Sequence, residues 1–369
     1  MHPTKIIIDR KTFTNNLTNI KNHVGNNLKF CLPVKANAYG HGLVETAKTA
    51  EAIVDYLAVA CFDEGLMLKQ HGIKKPILVF GAFDNEQISD LIKYNLEITV
   101  TSLEKAKALE MYCRTADTIC RVHIKYDTGM NRVGASDSEI HELVEYVAKN
   151  PVLHFIGIYS HLASSDSPNN EITLQQISKF KQIAEFAKKL KPEVICHLAN
   201  SGGVAYYPES WFDMIRPGII SYGYYPSKAH HDHMIKVKPC LSLHSRVMHV
   251  KQLPKGSGVS YSHRFITDEE TSNIATIAIG YGDGFRRCLS NRGQEVIING
   301  HKYPIVGNIC MDMLMVNLGN NNANVGDDVV LIGSQGNLSI PLESISEKLG
   351  TIDYEVLVSF TRRIIREYV

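Results

Sequence analysis

The sequence has no long hydrophobic run and no excess of charge of one sign. Because no uninterrupted apolar stretch reaches about eighteen residues, we expect neither a transmembrane helix nor a membrane partner. Lys and Arg number 39 and Asp and Glu 38, for a net charge of +1, so no general basic field favours binding to nucleic acid. The amino terminus has only a short apolar triplet before Asp9 and Arg10. We therefore expect no secretory signal and a cytoplasmic location.

Paired cysteine motifs are also lacking. The eight cysteines form no C-x-x-C pair, and a chain of 369 residues does not need disulfides to be stable, so we expect reduced thiols. The run His230-His231-Asp232-His233 could suggest a metal site. Adjacent histidines, however, point in different directions and rarely share one ion, so we expect an exposed loop there and no metal.

Short apolar runs typical of strands alternate with helical stretches through the first part of the chain. The strand candidates are residues 28–34, 56–60, 77–80, 97–100, 119–125, 153–159, 194–198 and 212–216, and the helical stretches include 102–113, 138–149 and 174–190. An open doubly wound sheet would show the same local pattern, but the count of eight favours a closed barrel. We predict an α/β fold with a (β/α)8 barrel of the TIM type.

The pattern changes near Pro239, after which strands predominate. The candidates are residues 240–252, 272–279, 295–298, 313–318 and 328–332, with one helix near 342–349. Turn signals such as Asn299-Gly300 separate them. We predict three segments: residues 1–9 as a strand that pairs with the C-terminal domain, residues 10–234 as the barrel, and residues 235–369 as a mainly β domain.

Reactive side chains follow several predicted barrel strands, at the end where barrels of this type place their active sites. Lys35 closes the first strand. Burial at that position would lower the pKa of the amine and make it a better nucleophile for a carbonyl. The alternative is a lysine that extends from the strand end to solvent. The small residues and turn formers that follow, with Tyr39 four residues on, favour the buried lysine.

A second candidate is the run Asn200-Ser201-Gly202-Gly203, which follows a strand and precedes a short helical stretch. Exposed amides at the start of a helix, together with a serine hydroxyl, suit a phosphate group. Gly218 and Ile219, just after the eighth strand, could supply further amides. An ordinary helix N-cap accounts for the same pattern, and the residues alone leave both interpretations open.

Taken together, these motifs resemble those of the bacterial alanine racemases, pyridoxal-phosphate enzymes with a barrel and a β domain. The resemblance extends over nearly the whole chain. It rests on residues 34–42 (VKANAYGHG), 125–132 (KYDTGMNR), 216–219 (RPGI), 259–261 (VSY), 279–284 (IGYGDG) and 310–312 (CMD). The first motif is specific to lysine-linked members of this fold, and Tyr261 followed by Met311-Asp312 narrows the resemblance to racemases.

The resemblance implies that Lys35 forms a Schiff base with the cofactor aldehyde. Arg216 would meet the pyridine nitrogen, with His161 supporting Arg216 from behind. Because arginine is effectively always charged, it would disfavour a proton on the ring and so weaken the electron sink. The cofactor-binding residues implied are Lys35, Tyr39, His161, Asn200, Ser201, Arg216, Gly218 and Ile219.

Racemisation requires a proton donor on each face of the substrate carbon. The resemblance implies that Lys35 takes the proton from D-alanine and Tyr261 from L-alanine. Arg132 would bind the substrate carboxylate and help to activate the Tyr261 phenol. Tyr261 and Met311 would act in the partner subunit's site, which implies a homodimer with shared active sites. Its expected role is to supply D-alanine for peptidoglycan.

Three further residues have implied roles around this centre. Tyr281 and Asp312 would line a narrow entrance. Lys125 is carbamylated in many relatives, where it steadies the arginine that corresponds to Arg132. The chain departs from the family pattern at Asn308, where many relatives have arginine, and at Arg362, where we expect many to have a tyrosine near the phosphate. These departures bear on substrate breadth.

Two alternatives remain from the sequence. One is another enzyme of the same fold, namely an amino-acid decarboxylase or a racemase for serine or lysine. Arg216 argues against a decarboxylase, whose pyridine partner is usually acidic, and broad-specificity racemases are usually exported. The other is a non-catalytic pyridoxal-phosphate carrier, which would resemble the barrel alone.

Overall fold

The structure is a computed structural model that describes residues 3–227 and 235–369. The chain divides into two compact units. One consists of Phe13–Ala38 and Gly42–Lys238, and the other of Met1–Thr12, Tyr39–His41 and Pro239–Val369. In the described part of the chain, no helix combines the length and the apolar character needed to cross a bilayer.

The first unit contains eight parallel strands in one sheet. They are β2 (Lys29–Pro33), β3 (Tyr56–Val59), β4 (Ile77–Val79), β5 (Glu97–Val100), β6 (Cys120–Lys125), β7 (Leu153–Tyr159), β8 (Ile195–His197) and β9 (Met214–Ile215), in the order β8-β7-β6-β5-β4-β3-β2-β9. The amide of Asp213 donates to Cys196 O at 3.0 Å, and that of Arg216 to Ala199 O at 2.9 Å, which joins the two ends of the sheet. The predicted barrel is confirmed.

Strand positions follow the prediction closely, and the main difference is at β9. The prediction of a strand over 212–216 is too long, because Phe212 has a φ of +50° and cannot continue an extended backbone. At β6, Ile119 is 59% exposed, and the strand begins one residue later at Cys120.

Helices connect most of the barrel strands. They span Arg10–Val24, Leu43–Ala50, Phe62–Gln70, Ile88–Lys93, Leu103–Thr115, Ile140–Lys149, Glu171–Leu190 and Ser201–Tyr206. The longest begins three residues before its predicted start, because the Asn170 side chain accepts from Thr173 N and caps the helix there. Ile177, Phe180 and Ile183 recur at helical spacing and are buried, as their periodicity predicts.

The barrel interior has an apolar part and a polar part. Cys31, Tyr56, Ala58, Leu78 and Met214 form a buried apolar cluster, against which Phe80 and Ile195 pack. Five polar side chains, namely Glu97, Thr99, His123, His197 and Arg216, are also buried. Because buried polar groups are costly without partners, this polar part depends on the hydrogen bonds described below.

The second unit is dominated by antiparallel strands. Its strands are β1 (Lys5–Ile8), β10 (Leu241–Pro254), β11 (Gly258–Val259), β12 (Phe265–Ile266), β13 (Thr271–Ile277), β14 (Glu295–Ile298), β15 (His301–Val306), β16 (Leu314–Gly319), β17 (Asp328–Gln335), β18 (Leu338–Ile340) and β19 (Ile365–Tyr368). Helices span Leu342–Leu349 and Asp353–Ser359.

Pairings within this unit form a ring of six strands, because β10 pairs with both β13 and β17 while β16, β15 and β14 connect those two. Strand β1 adds to β10 in antiparallel fashion and to β19 in parallel. The sequence analysis missed the helix Asp353–Ser359 and the strands β11, β12, β15, β18 and β19. In β15, exposed Lys302 and Pro304 do alternate with buried Tyr303 and Ile305, but a proline within a run weakens the prediction of a strand.

Candidate active site

Lys35 stands at the start of an unusual backbone turn just beyond β2. The four residues that follow it, Ala36, Asn37, Ala38 and Tyr39, all have φ between 53° and 56°. This is the left-handed helical region, which costs L-residues roughly 1–2 kcal/mol each. None of the four is glycine, so the surrounding structure must hold the turn in place. The sequence analysis recognised a turn here but not its handedness.

Two side chains hold this left-handed turn. Glu64 accepts from the amide of Ala36 at 2.7 Å through Oε1 and from that of Ala60 at 2.8 Å through Oε2. The Asn37 side chain accepts from the amide of Leu43 at 2.9 Å. Glu64 lies in the first turn of the helix Phe62–Gln70, and the sequence analysis missed it because nothing in the local pattern indicates its distant partner.

The Lys35 amine lies in an environment that favours its neutral form. Burial lowers the pKa of Lys35, the positive charge of Arg132 lowers it further, and the carboxylate of Glu64 partly opposes both. A neutral amine is the form that attacks a carbonyl or accepts a proton. The sequence-based expectation of a desolvated lysine therefore agrees with its position.

Lys125, at the end of β6, is a second lysine in the same region. It is 8% exposed, and its Nζ lies 4.3 Å from the centroid of the Tyr159 ring. Burial, followed by the charges of Arg216 and Arg132, holds the pKa of Lys125 well below its usual value. The charged form of Lys125 is disfavoured here by burial and by the two arginines. The carbamylation that the resemblance implies would instead give this side chain a negative charge.

Arg132 belongs to an exposed loop that is organised by one carboxylate. Asp127 accepts from the backbone amides of Gly129, Asn131 and Arg132 at 2.9–3.0 Å. Gly134 closes the loop with a φ of +135°, and a Cβ there would lie 2.8 Å from Asp127 N. The loop therefore places Arg132 by backbone contacts and leaves its guanidinium available.

Arg216 is held by three partners in the barrel interior. It donates to Ser160 O at 2.7 Å, to Leu198 O at 3.0 Å and to the His197 ring at 2.9 Å. Burial lowers the pKa of Arg216 to about 10, so it stays charged at neutral pH. The histidine bonded to Arg216 is His197, which the sequence analysis did not single out, and support of Arg216 by His161 stays a prediction.

His161 follows β7 and is partly buried near the same cations. Burial, followed by the charges of Lys125, Arg216, Arg132 and Lys35, holds the pKa of His161 well below its usual value. Its carbonyl accepts from Gln176 Nε2 at 3.0 Å. His161 is therefore neutral at physiological pH, in a region to which the guanidinium groups of Arg216 and Arg132 bring positive charge.

The run 200–203 was interpreted either as a helix N-cap or as a phosphate site, and in the structure Asn200 caps the helix Ser201–Tyr206. Asn200 Oδ1 accepts from Gly203 N at 3.0 Å and from Ser165 Oγ at 2.8 Å. Ser201 is buried, and its Oγ accepts from Gly218 N at 2.9 Å. Ile219, next to Gly218, is fully buried. The structure thus brings Ser201 against the residue 217–220 segment, as the phosphate interpretation requires.

The remaining predicted residues lie in the second unit, and their exposed members include three large side chains. Tyr261 is 71% exposed, Met311 53% and Tyr281 41%; we call these three the tyrosine surface. Asn308 Nδ2 donates to Tyr261 O at 2.7 Å. Asn308, one of the departures from the family pattern, therefore supports the backbone of Tyr261.

Backbone contacts connect the Tyr281 and Met311 segments. Gly282 N donates to Met311 O at 2.8 Å, and Tyr281 N to Cys310 O at 3.0 Å. Asp312 accepts from Arg363 Nη2 at 2.7 Å. The exposed side chains of Tyr281 and Met311 thus extend from two segments that are hydrogen-bonded to each other.

Tyr39 is buried in the second unit and packs near a tyrosine that the sequence analysis missed. Its ring centroid lies 6.1 Å from that of Tyr354, on the helix Asp353–Ser359. Burial raises the pKa of Tyr39 above its usual range, so its hydroxyl keeps its proton and can donate. Arg362, where we expected relatives to have a tyrosine, is exposed.

Metal binding finds no support in the described ranges. Across residues 3–227 and 235–369, no three His, Cys, Asp or Glu side chains are grouped so as to hold an ion. The cluster His230-His231-Asp232-His233 lies outside the described residues. None of the eight cysteines forms a disulfide.

Comparison with known proteins identifies the family. The family model "Alanine racemase, N-terminal domain" matches residues 8–226, and "Alanine racemase, C-terminal domain" matches residues 240–368. The chain belongs to the alanine racemase family. An alanine racemase from Halothermothrix orenii is 38% identical over 99% of this chain and 97% of its own.

Solved structures of the family agree in fold over the full length. Alanine racemase from Clostridium difficile 630 superposes with a TM-score of 0.94 at 36% identity, covering 100% of this chain and 96% of its own. A histidine racemase from Leuconostoc mesenteroides superposes with a TM-score of 0.90 at 27% identity, covering 100% and 98%. The fold is thus shared by racemases named for different amino acids.

Proposed function

We propose that the protein is an alanine racemase that interconverts L- and D-alanine. The observation that carries this proposal is the position of Lys35 in a chain that belongs to this family over its full length. Lys35 lies just beyond the barrel strand β2, and its pKa is lowered by burial and by the charge of Arg132. Arg216, Arg132 and Lys35 in turn act on the pKa of Lys125.

Pyridoxal phosphate fits the residues around Lys35. The positive charges of Arg216 and Arg132 suit a group that bears a phosphate, and the lowered pKa of the Lys35 amine suits reaction with its aldehyde. Because Ser201 Oγ already accepts from the Gly218 amide, its own O–H can donate to an anion. The residues that would hold the cofactor are Lys35, Tyr39, His161, Asn200, Ser201, Arg216, Gly218 and Ile219.

When bound, this cofactor supplies an electron sink that makes the Cα proton of an amino acid acidic. Arg216 tunes that chemistry, because a guanidinium has only donors and keeps its charge. A ring nitrogen facing Arg216 would accept a hydrogen bond without gaining a proton. The sink is then weak, which favours exchange of a proton over transfer of the amino group.

Proton transfer on the two faces of the substrate carbon is assigned to two side chains. Lys35 Nζ removes the Cα proton of D-alanine and, in the reverse direction, donates the proton that forms D-alanine. Tyr261 Oη does the same for L-alanine. Arg132 binds the carboxylate, and the backbone of Met311 contacts the substrate. Tyr281 and Asp312 line the entrance, and Lys125 supports Arg132.

A homodimer with shared active sites would account for the tyrosine surface. A general base must contact its substrate away from bulk water, yet Tyr261 is 71% exposed. Exposed apolar side chains of this kind typically mark an interface. We propose that Tyr261 and Met311 of one copy complete the site of the other. This also distinguishes the enzyme from a pyridoxal-phosphate carrier, which needs no second unit.

The cellular role follows from the product. We propose that the enzyme works in the cytoplasm, to which cysteines without disulfides are suited, and supplies D-alanine for peptidoglycan. A racemase for serine or lysine is the second candidate. The observation in its favour is that this fold includes a neighbour named for histidine.

Loss of optical rotation tests the proposal directly. Purified protein is incubated separately with L-alanine, L-serine and L-lysine, with Lys35→Ala as the control. We expect rotation to be lost fastest with L-alanine and to persist with the control. Bound yellow cofactor without racemisation of any amino acid would instead favour the carrier. Faster racemisation of serine or lysine would favour the second candidate.

A further inference from the structure

A chain of five charged or aromatic side chains crosses the barrel interior and ends at Arg216. Arg121 donates to Glu97 Oε1 at 2.9 Å through Nε and at 2.6 Å through Nη2. Glu97 Oε2 lies 2.7 Å from His123 Nε2. His123 Nδ1 lies 3.0 Å from His197 Nε2, and His197 Nδ1 lies 2.9 Å from Arg216 Nη1. The chain is continuous from β5 and β6 to the segment after β9.

The members of this chain are fixed in place. Glu97 is 1% exposed, and His123 and His197 are fully buried. The Tyr159 ring stacks on His197 with centroids 4.8 Å apart and an angle of 9° between the planes. Tyr56 packs edge-on against His123 at 6.4 Å. Neither imidazole ring can exchange its nitrogens without disturbing these contacts.

The hydrogen-bonding capacity at each end determines where the ring protons lie. Arg216 can only donate, so His197 Nδ1 accepts and His197 carries its proton on Nε2. That proton is donated to His123 Nδ1, which leaves the proton of His123 on Nε2. His123 then donates to Glu97, and Glu97 also accepts from Arg121.

Alternative protonation states conflict with this geometry. If His123 were protonated on both nitrogens, it would donate to His197 Nε2, and the neutral His197 would direct an Nδ1–H at Arg216. Burial, together with the Arg216 charge, holds the pKa of His197 well below its usual value, which keeps that ring neutral. Although burial opposes it, hydrogen bonds from His123 and Arg121 lower the pKa of Glu97, so it stays an acceptor.

We propose that Glu97 is a positioning residue that fixes the tautomers of His123 and His197 and so gives Arg216 a permanent hydrogen-bond acceptor. Glu97 acts through the two histidines and does not itself contact the substrate. The consequence for catalysis rests on the proposed function, because Arg216 is there assigned to the cofactor. The tautomer pattern itself does not depend on that assignment.

The variant Glu97→Gln distinguishes this role from simple packing. Arg121 can only donate, so it would hold the glutamine oxygen and turn the amide NH2 toward His123. His123 Nε2 must then accept, which moves its proton to Nδ1 and that of His197 to Nδ1 as well. The Nδ1–H of His197 and the Nη1–H of Arg216 would then face each other without an acceptor between them. In the double variant Glu97→Gln/Arg121→Met, the glutamine oxygen can turn back to His123 and restore the original tautomers.

Solid-state NMR of the whole protein labelled with 15N at histidine measures the tautomers without reference to activity. Resonances of the two rings are assigned from His123→Asn and His197→Asn. In the wild-type protein we expect both rings to be neutral with Nε2 protonated, and any other pattern overturns the proposal even if no Glu97 variant folds. We expect the Nδ1 and Nε2 resonances of both rings to exchange positions in Glu97→Gln and to return in the double variant.

Kinetics of the holoenzyme provide a second readout. We expect Glu97→Gln to lower kcat for alanine by about tenfold with KM little changed, and the double variant to recover most of the loss. Glu145→Gln, which makes the same change on the barrel surface, is the matched control and should behave as wild type. Unchanged tautomers in Glu97→Gln, or no recovery in the double variant, would contradict the proposal. An inactive wild-type protein with the expected tautomers would overturn only the proposed function.

Discussion

At the residue scale, the properties of Lys35 come from its neighbours rather than from the lysine itself. Burial and Arg132 favour its neutral form, while Glu64 opposes them. The sequence indicated Lys35 because a lysine that ends an apolar strand in a barrel is partly desolvated. It did not indicate Glu64, whose contact with the Lys35 segment comes from a different helix.

The polar chain behind Arg216 was missed, although a signal for it was present. Arg121, His123 and Lys125 alternate along β6, and Glu97 and Thr99 do so along β5. Residues two apart on a strand share a face. Polar residues at alternate positions of strands that should be buried on both faces therefore point to a polar barrel interior, and that pattern could have located His123 and Glu97.

Glu64→Gln tests the anchor of the left-handed turn. A glutamine oxygen can satisfy only one of the amides of Ala36 and Ala60, and the other would face an NH2 group. We expect the variant to lose about 1–2 kcal/mol of unfolding free energy, measured by urea denaturation. The control Asp63→Asn removes the same charge from an exposed neighbour and should stay within about 0.5 kcal/mol of wild type. Equal losses in the two variants would contradict the anchoring role.

At the scale of elements, the loops around the site are harder to predict than the strands beneath them. Strand positions follow from hydrophobic runs, whereas the turn after Lys35 has consecutive left-handed residues without a single glycine among 36–39. Local preferences disfavour that conformation. Contacts such as that between Asn37 and Leu43 N impose it, and such contacts are not visible in the local sequence.

Gly280 illustrates an element that depends on close backbone approach. Its φ is −153°, so alanine would not strain the backbone, but a Cβ would lie 2.3 Å from Cys310 O and 2.4 Å from Met311 O. We expect Gly280→Ala to displace Met311 and to raise KM for alanine by about tenfold or more, measured by steady-state kinetics.

Gly336→Ala is the comparison for this prediction. At Gly336 the added methyl group meets open space, although φ is +58°. It should therefore lower stability by about 1 kcal/mol without changing KM. An unchanged KM in Gly280→Ala would show that the Met311 segment is not held by this contact.

At the scale of the whole molecule, the barrel was predictable and the second unit less so. Each barrel strand pairs with neighbours close in sequence apart from the pairing of β2 with β9, and helices between them reinforce the periodic pattern. In the second unit, β19 pairs with β1 from the opposite end of the chain. Strand β19 has only four residues and a partner far away in the sequence, and β18 has only three residues although it pairs with the adjacent β17. Runs this short do not show a period-two pattern, which is why both strands were missed.

Subunit mixing tests whether active sites are shared between copies. Lys35→Ala and Tyr261→Phe are each expected to be nearly inactive. If each site combines Lys35 of one copy with Tyr261 of the other, a mixed dimer has one intact site, and random mixing after mild dissociation should restore about a quarter of the wild-type activity. No restoration, although mixed dimers are shown to form, would place both residues of a site in one chain.

The most direct test of the central claim, that Lys35 and Tyr261 act on opposite faces of the substrate, is the fate of D-alanine in D2O. Deuterium at Cα and configuration are followed together by mass spectrometry and chiral chromatography. We expect wild type to give deuterated L-alanine. Tyr261→Phe should return deuterated D-alanine, since Lys35 still exchanges its proton, with inversion slowed at least about a hundredfold. Inversion by Tyr261→Phe at the wild-type rate would contradict the account.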